Sequence, residues 1–118
     1  MIVTSGHNVY PHEVEATLLS GLRSAGPDGA AAQVVVTGLA DARRGTRLVA
    51  ALLEAPGPGA PALTLAGVRA AAADLAAPKR PRRYYRLTEL PLTAAGKISR
   101  RLLADWITEG DPRAHRLD

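Results

Sequence analysis

The sequence predicts an α+β domain: a small mixed or antiparallel three-stranded sheet flanked by helices, with a short extra strand at its N-terminus. Three observations carry that prediction. Apolar runs at Val34-Val35-Val36 and at Leu48, Val49, Leu52 and Leu53 are short and bounded by turn-forming residues, as strands are. Three other stretches repeat apolar residues at helical spacing. The two kinds of segment alternate along the chain, which is the pattern of helices packed on a sheet.

In order, Ile2-Val3-Thr4 is a β-branched run stopped by Ser5-Gly6, a brief strand and a turn. From Pro11 the pattern becomes helical. Proline suits the first turn, Glu13 and Glu15 favour the positive end of the helix dipole, and Val14, Leu18 and Leu22 share a face, giving a helix over 11–22. Residues 32–39 and 47–54 read as two strands. The charged, turn-forming connector around Asp41, Arg43, Arg44 and Gly45 joins them as a hairpin with a loop rather than a two-residue turn. Pro56, Pro58 and Pro61 with Gly57 and Gly59 mark an exposed internal linker. Thr64 caps a helix whose apolar face is Leu65, Val68, Ala72 and Leu75, and Pro78 stops it. A third core strand is expected over 83–87. Ile98, Leu102 and Trp106 at four-residue spacing predict a last helix over 98–107.

At 118 residues the chain fits one domain. No apolar run approaches the length of a membrane-spanning helix, and the N-terminus lacks the charged start and apolar stretch of a secretory signal, so the cytoplasm is the expected compartment. The absence of cysteine excludes disulfides, a thiolate nucleophile and thiolate metal sites. Phenylalanine is absent too, so Val, Leu and Ile must carry a lean core.

A net charge of +4 permits nucleic-acid binding, and the basic residues cluster at Arg43 to Arg47, Lys79 to Arg83 and Lys97 to Arg101. The middle cluster is broken by prolines, and only Tyr84 and Tyr85 offer stacking surfaces beside it, so no nucleic-acid partner is expected. These clusters, Arg100 and Arg101 included, read as solvated surface. His7 and His12 lack a third ligand and read as surface histidines, with no metal site.

Two loops carry the chemistry. The first, Gly6-His7-Asn8-Val9-Tyr10-Pro11-His12-Glu13-Val14-Glu15, is a glycine turn feeding a proline-started helix. The second, Glu89-Leu90-Pro91-Leu92-Thr93-Ala94-Ala95-Gly96-Lys97-Ile98-Ser99-Arg100, sets a lysine beside a flexible glycine just before the last helix. Alone, each is ordinary: a plain strand-to-helix connection, and an exposed lysine at a helix start. Together and in this order they resemble the two signatures of the C-terminal lobe of acyl-adenylate-forming enzymes. That superfamily includes acyl-CoA synthetases, aryl-CoA ligases, luciferases and peptide-synthetase adenylation domains. The wording Asn8-Val9-Tyr10-Pro11-x-Glu13-Val14-Glu15 is nearer the acyl- and aryl-CoA ligase branch.

The resemblance covers roughly residues 1–106, placing the lobe over 1–109 and leaving 110–118 as a polar, disordered tail. It implies that Lys97 is the catalytic lysine of adenylation, with Thr93 and Gly96 supporting its loop. It also implies that Ser5, Gly6, His7 and Asn8 form an alternate face lining the entrance for CoA or pantetheine. It implies ATP, Mg2+ and CoA as reaction partners, bound mainly by a large N-terminal adenylation domain, with a carboxylic acid and CoA or a carrier protein as substrates. Three positions depart from the family pattern: Leu92 where Arg is common, Thr46 where Glu is common, and Ala95 before the glycine-lysine pair. No Gly/Ser/Thr-rich phosphate loop is present, so the chain is expected to be a fragment or a split subunit, inactive alone. The competing expectation is a freestanding interaction module that keeps the fold.

Overall fold

The computed structural model describes residues 1–4, 6–23, 31–43, 45–54 and 63–117. Ser5, Arg44 and the proline-glycine linker expected at 56–61 lie outside the described residues. Strand β1 (Ile2–Thr4) pairs antiparallel with β2 (His7–Val9), and helix α1 (Pro11–Arg23) follows. β3 (Ala31–Asp41) and β4 (Gly45–Glu54) form a long antiparallel hairpin. α2 (Leu65–Ala72) lies in the crossover to β5 (Arg83–Leu87), which runs parallel to β4, as a parallel pair requires. A single 3-10 turn (Ala77–Lys79) precedes β5. α3 (Arg100–Glu109) then leads into β6 (Ala114–Arg116), antiparallel to β5. The result is the expected α+β fold, with a mixed sheet ordered β3-β4-β5-β6 and a separate two-stranded hairpin.

Side chains alternate across the sheet, and each face has its own cover. Val34, Val36, Leu48, Ala50, Leu52 and Tyr84 pack with Val14 and Leu18 of α1 and Val68 and Ala71 of α2. Val35, Val49, Ala51, Tyr85 and Leu87 pack with Leu103 and Trp106 of α3. This explains why Val34-Val35-Val36 is continuously apolar: a strand buried on both faces needs no polar alternation. Residue pairing runs from Ala31 opposite Glu54 to Asp41 opposite Gly45, so three residues turn the hairpin. The Asp41 carboxylate accepts the Arg43 N–H at 2.8 Å there.

α2 ends at Ala72, so Leu75 lies outside it and Pro78 is not its stop. Three other boundaries differ from expectation. His7 to Val9 is a strand because Val9 is fully buried and pairs with Ile2, a contact that only the tertiary fold creates. The last helix starts at Arg100, since the Ser99 hydroxyl caps it by accepting the Leu102 N–H at 3.1 Å, while Ile98 bridges back to Leu92. The third difference is the tail. Residues 110–118 were expected to be disordered, yet they contain β6 and Leu117, 8% exposed, whose N–H donates to the Tyr84 carbonyl at 2.8 Å. The Arg113 carbonyl accepts the Thr88 N–H at 3.0 Å, and the Arg113 guanidinium lies 4.3 Å from the Trp106 ring centroid. A polar segment is ordered here by covering the open edge of β5 and by its own ion pairs.

Asp111 anchors that tail. Hydrogen bonds from the Arg113 side chain, and then from its backbone N–H, hold the Asp111 carboxyl down at about 2, below its ordinary 3.8. A carboxyl lowered on folding stabilises the docked tail fully above its unfolded value, and that contribution is lost as pH falls through the folded one. Acidification from about pH 4 to pH 2 therefore loosens the tail. Trp106, the single tryptophan, reports it: its fluorescence should change across that window in the parent chain and not in Asp111→Asn. The same acid profile in both would reject the assignment.

Candidate functional site

Lys97 stands on a closed hairpin rather than a loose loop. The Thr93 N–H donates to the Lys97 carbonyl at 2.8 Å, the Gly96 N–H to the Thr93 carbonyl at 2.9 Å, and the Lys97 N–H to the Thr93 hydroxyl at 3.2 Å. Outside this turn, Leu92 pairs with Ile98, and the Ser99 N–H donates to the carbonyl of buried Pro91 at 2.8 Å. Gly96 occupies the left-handed region at φ +82°, the conformation that a three-residue hairpin turn demands at its last position. The glycine expected to be flexible is thus part of a fixed turn, and reach comes from the lysine side chain. Lys97 is exposed, and its ammonium has no hydrogen-bond or ion-pair partner among the described residues.

The base of this hairpin is tied to the body at Arg100. Its guanidinium donates to both carboxylate oxygens of Glu15, at 2.9 and 3.1 Å, and Glu15 also accepts the Val36 N–H at 2.8 Å. The Arg100 carbonyl accepts the buried Thr37 hydroxyl at 3.0 Å. The expected solvated face for Arg100 is therefore wrong, because its partner lies 85 positions away in sequence. No local signal at Glu15 distinguishes it from Glu13, which instead meets Lys79 at the surface.

The second predicted face is the β1–β2 hairpin. Gly6, at φ +79°, and His7 and Asn8 are exposed, while Val9 anchors the strand in the core. Ser5 lies outside the described residues. Among the described residues, no hydrogen bond or ion pair joins Lys97 to Gly6, His7 or Asn8.

Beside the hairpin, Thr4 and His7 share a cavity of about 180 Å³ with Arg80 and Arg82. Arg80 and Arg82 continue into a larger cavity of about 380 Å³ with Arg69 and Tyr84, and no carboxylate among the described residues lines either one. Arg80 is fixed there by donating to the Leu75 carbonyl at 2.8 Å and the Ala73 carbonyl at 3.3 Å. Arg82 is held by its backbone N–H, which donates to the Leu48 carbonyl at 2.8 Å, and its side chain is exposed. Burial pushes the Tyr84 hydroxyl above its ordinary value, with the Arg69 and Arg80 charges pulling against it. The basic cluster expected to be plain surface thus forms a cationic wall next to the Gly6 to Asn8 face. The alternation of proline and arginine over Pro78-Lys79-Arg80-Pro81-Arg82 was the available signal.

Among the described residues, no three His, Asp or Glu side chains converge on a possible metal site, and His7 and His12 are exposed. No helix there is long and apolar enough to cross a membrane.

Comparison with known proteins places this geometry. The family described as the AMP-binding enzyme C-terminal domain matches residues 28–97. A 4-chlorobenzoate–CoA ligase of Pseudomonas sp. (strain CBS-3) is 42% identical over 92% of the chain, which spans 19% of that protein. A long-chain-fatty-acid–CoA ligase of Bacillus subtilis (strain 168) is 36% identical over 92% of the chain, which spans 18% of it. Among solved structures, an o-succinylbenzoate CoA synthetase from Bacillus subtilis, bound with a product analogue, superposes at TM-score 0.75 with 29% identity. That superposition covers 99% of this chain and 21% of the other. The chain thus corresponds to about a fifth of the length of these relatives.

Proposed function

The chain belongs to the family of AMP-binding enzyme C-terminal domains, and from that membership we propose that it serves as the small lobe of an ATP-dependent, AMP-forming acid–CoA ligase. The observation that carries this reading is the exposed ammonium of Lys97, without a partner among the described residues, on a hydrogen-bonded hairpin. In the first half-reaction a carboxylate oxygen of the acid attacks the α-phosphorus of ATP, the bond to the bridging oxygen breaks, and pyrophosphate leaves. Negative charge gathers on the α-phosphoryl oxygens, and a preorganised cation stabilises it as it forms. Lys97 supplies that cation. ATP and the acid would sit mainly on a large N-terminal domain, where a bound Mg2+ would offset phosphate charge; the described residues contain no donor set that would hold the metal.

In the second half-reaction the thiol sulfur attacks the acyl carbonyl and AMP departs. We assign the entrance for that thiol to Ser5, Gly6, His7 and Asn8, with a rotation of the lobe exchanging this face for Lys97. The cationic wall at Arg80 and Arg82 favours CoA over a carrier-protein arm, because CoA brings free nucleotide phosphates to the cavity mouth. A need for ATP and CoA supports a cytoplasmic location.

The test uses the protein that carries this chain together with its large domain. Carboxylate-dependent exchange of pyrophosphate into ATP should be present, and should collapse when this lobe is removed. Undiminished exchange without the lobe would reject the reading. On the acceptor side, one charge-assisted contact to phosphate is worth about 1.5–3 kcal/mol, so Arg82→Ala should raise KM for CoA by about tenfold or more. KM for pantetheine, which lacks the nucleotide, should stay unchanged. An equal rise for both thiols would remove Arg82 from the phosphate contact.

A further inference from the structure

We propose that Arg100 is a positioning residue for adenylation, fixing the Lys97 hairpin against α1 and β3 through its ion pair with Glu15. The proposal rests on the reading of Lys97 given above. Arg100 is the first residue of α3 and stands three positions after Lys97, where the hairpin meets the body. It is held from two sides: the Thr37 hydroxyl binds its carbonyl, and Glu15 binds its guanidinium. Glu15 is itself fixed by the Val36 N–H. The chain of contacts from Lys97 through Ser99 and Arg100 therefore ends in the sheet and in the helix that leaves the Gly6 to Asn8 hairpin.

Two features set this pair apart from a surface bridge. The Glu15 side chain is 16% exposed and that of Arg100 32%, so water screens the pair little compared with Glu13 and Lys79, at 61% and 41%. Only one terminal nitrogen of Arg100 engages Glu15, and its Nε is buried without a hydrogen-bond partner among the described residues. An orphaned buried donor costs stability, and a partly buried pair gives little back, so stability alone is a poor reason for this arrangement. Fixing the direction of the hairpin is a better one. Misplacing a catalytic group by about 1 Å can cost on the order of a hundredfold in rate, whereas substrate binding elsewhere is untouched.

The experiment compares Arg100→Met, Arg100→Lys, Glu15→Gln and Lys97→Ala in the complete protein with its large domain. Arg100→Met should lower kcat for pyrophosphate exchange by about tenfold to a hundredfold, with KM for ATP and the acid within about twofold. Thioester formation from supplied acyl-adenylate should stay within about twofold, because Lys97 takes no part in that step. Arg100→Lys, whose ammonium keeps the charge, should recover most of the lost rate. Hydrogen exchange at the Gly96, Lys97 and Ser99 amides should speed up in Glu15→Gln, which retains an acceptor for Val36. If Arg100→Met fails to fold, Glu15→Gln carries the kinetic test as well. An equal loss in both half-reactions, or full exchange activity in Arg100→Met and Glu15→Gln while Lys97→Ala collapses, would overturn the proposal alone. Normal exchange in Lys97→Ala would instead remove the reading of Lys97, and this proposal with it.

Discussion

Lys97→Ala lowers carboxylate-dependent pyrophosphate exchange by about a hundredfold to a thousandfold, the loss expected when one preorganised charge at a developing oxyanion is removed. The size follows from where the charge acts. An ammonium that meets the α-phosphoryl oxygens as they gain charge contributes more to the transition state than to bound ATP, so kcat falls while KM moves little. The fold is indifferent to the change, because Lys97 is exposed and its side chain bonds to nothing among the described residues. The turn around it rests on backbone groups and the Thr93 hydroxyl, all of which the substitution leaves in place. Thermal unfolding of the variant should therefore match the parent, and thioester formation from isolated acyl-adenylate should persist. Near-normal exchange by a folded Lys97→Ala protein would refute the assignment.

The largest effect on stability is expected at Leu52. It is fully buried in β4, a strand with neighbours on both sides, and it packs into the layer shared with α1 and α2. Truncation to Ala removes three carbons and leaves a cavity, at a cost of about 2–5 kcal/mol. Domains of this size are stable by only about 5–15 kcal/mol, and with no phenylalanine nearby to expand into the gap, relaxation offers little relief. Chemical denaturation should show the midpoint moving by that amount, with the denaturant slope preserved. Leu92→Ala is the matched control: at 44% exposed, it should change stability by less than about 0.5 kcal/mol. If Leu52→Ala cost no more than Leu92→Ala, the assignment of that face as the principal core would be wrong.

Much of the architecture was legible residue by residue. The β3, β4 and β5 runs and the faces of α1 and α2 follow from periodicity, because burying those side chains is the main gain on folding and leaves a local trace in sequence. Gly96-Lys97 was legible as a candidate only through the resemblance that its loop carries together with Gly6 to Glu15; alone it is an ordinary lysine at a helix start. The strand at His7 to Val9 was not legible, since two of its three residues are exposed and its stability comes from pairing with Ile2 and Val3. β6 was hidden in the same way, two of its three residues being polar and its order drawn from β5. Arg80 and Arg82 looked like solvent-facing charge until the fold set them beside His7.

The sequence by itself determined the α+β class and the order of the main elements, because these depend on neighbours within a few positions. Only the tertiary structure decided that Glu15 meets Arg100, that the Lys97 turn is closed at its base by pairing with Pro91 and Leu92, and that a polar tail completes the sheet. Such contacts join residues far apart in the chain. Charged and polar side chains carry no periodic mark of which distant partner they will find.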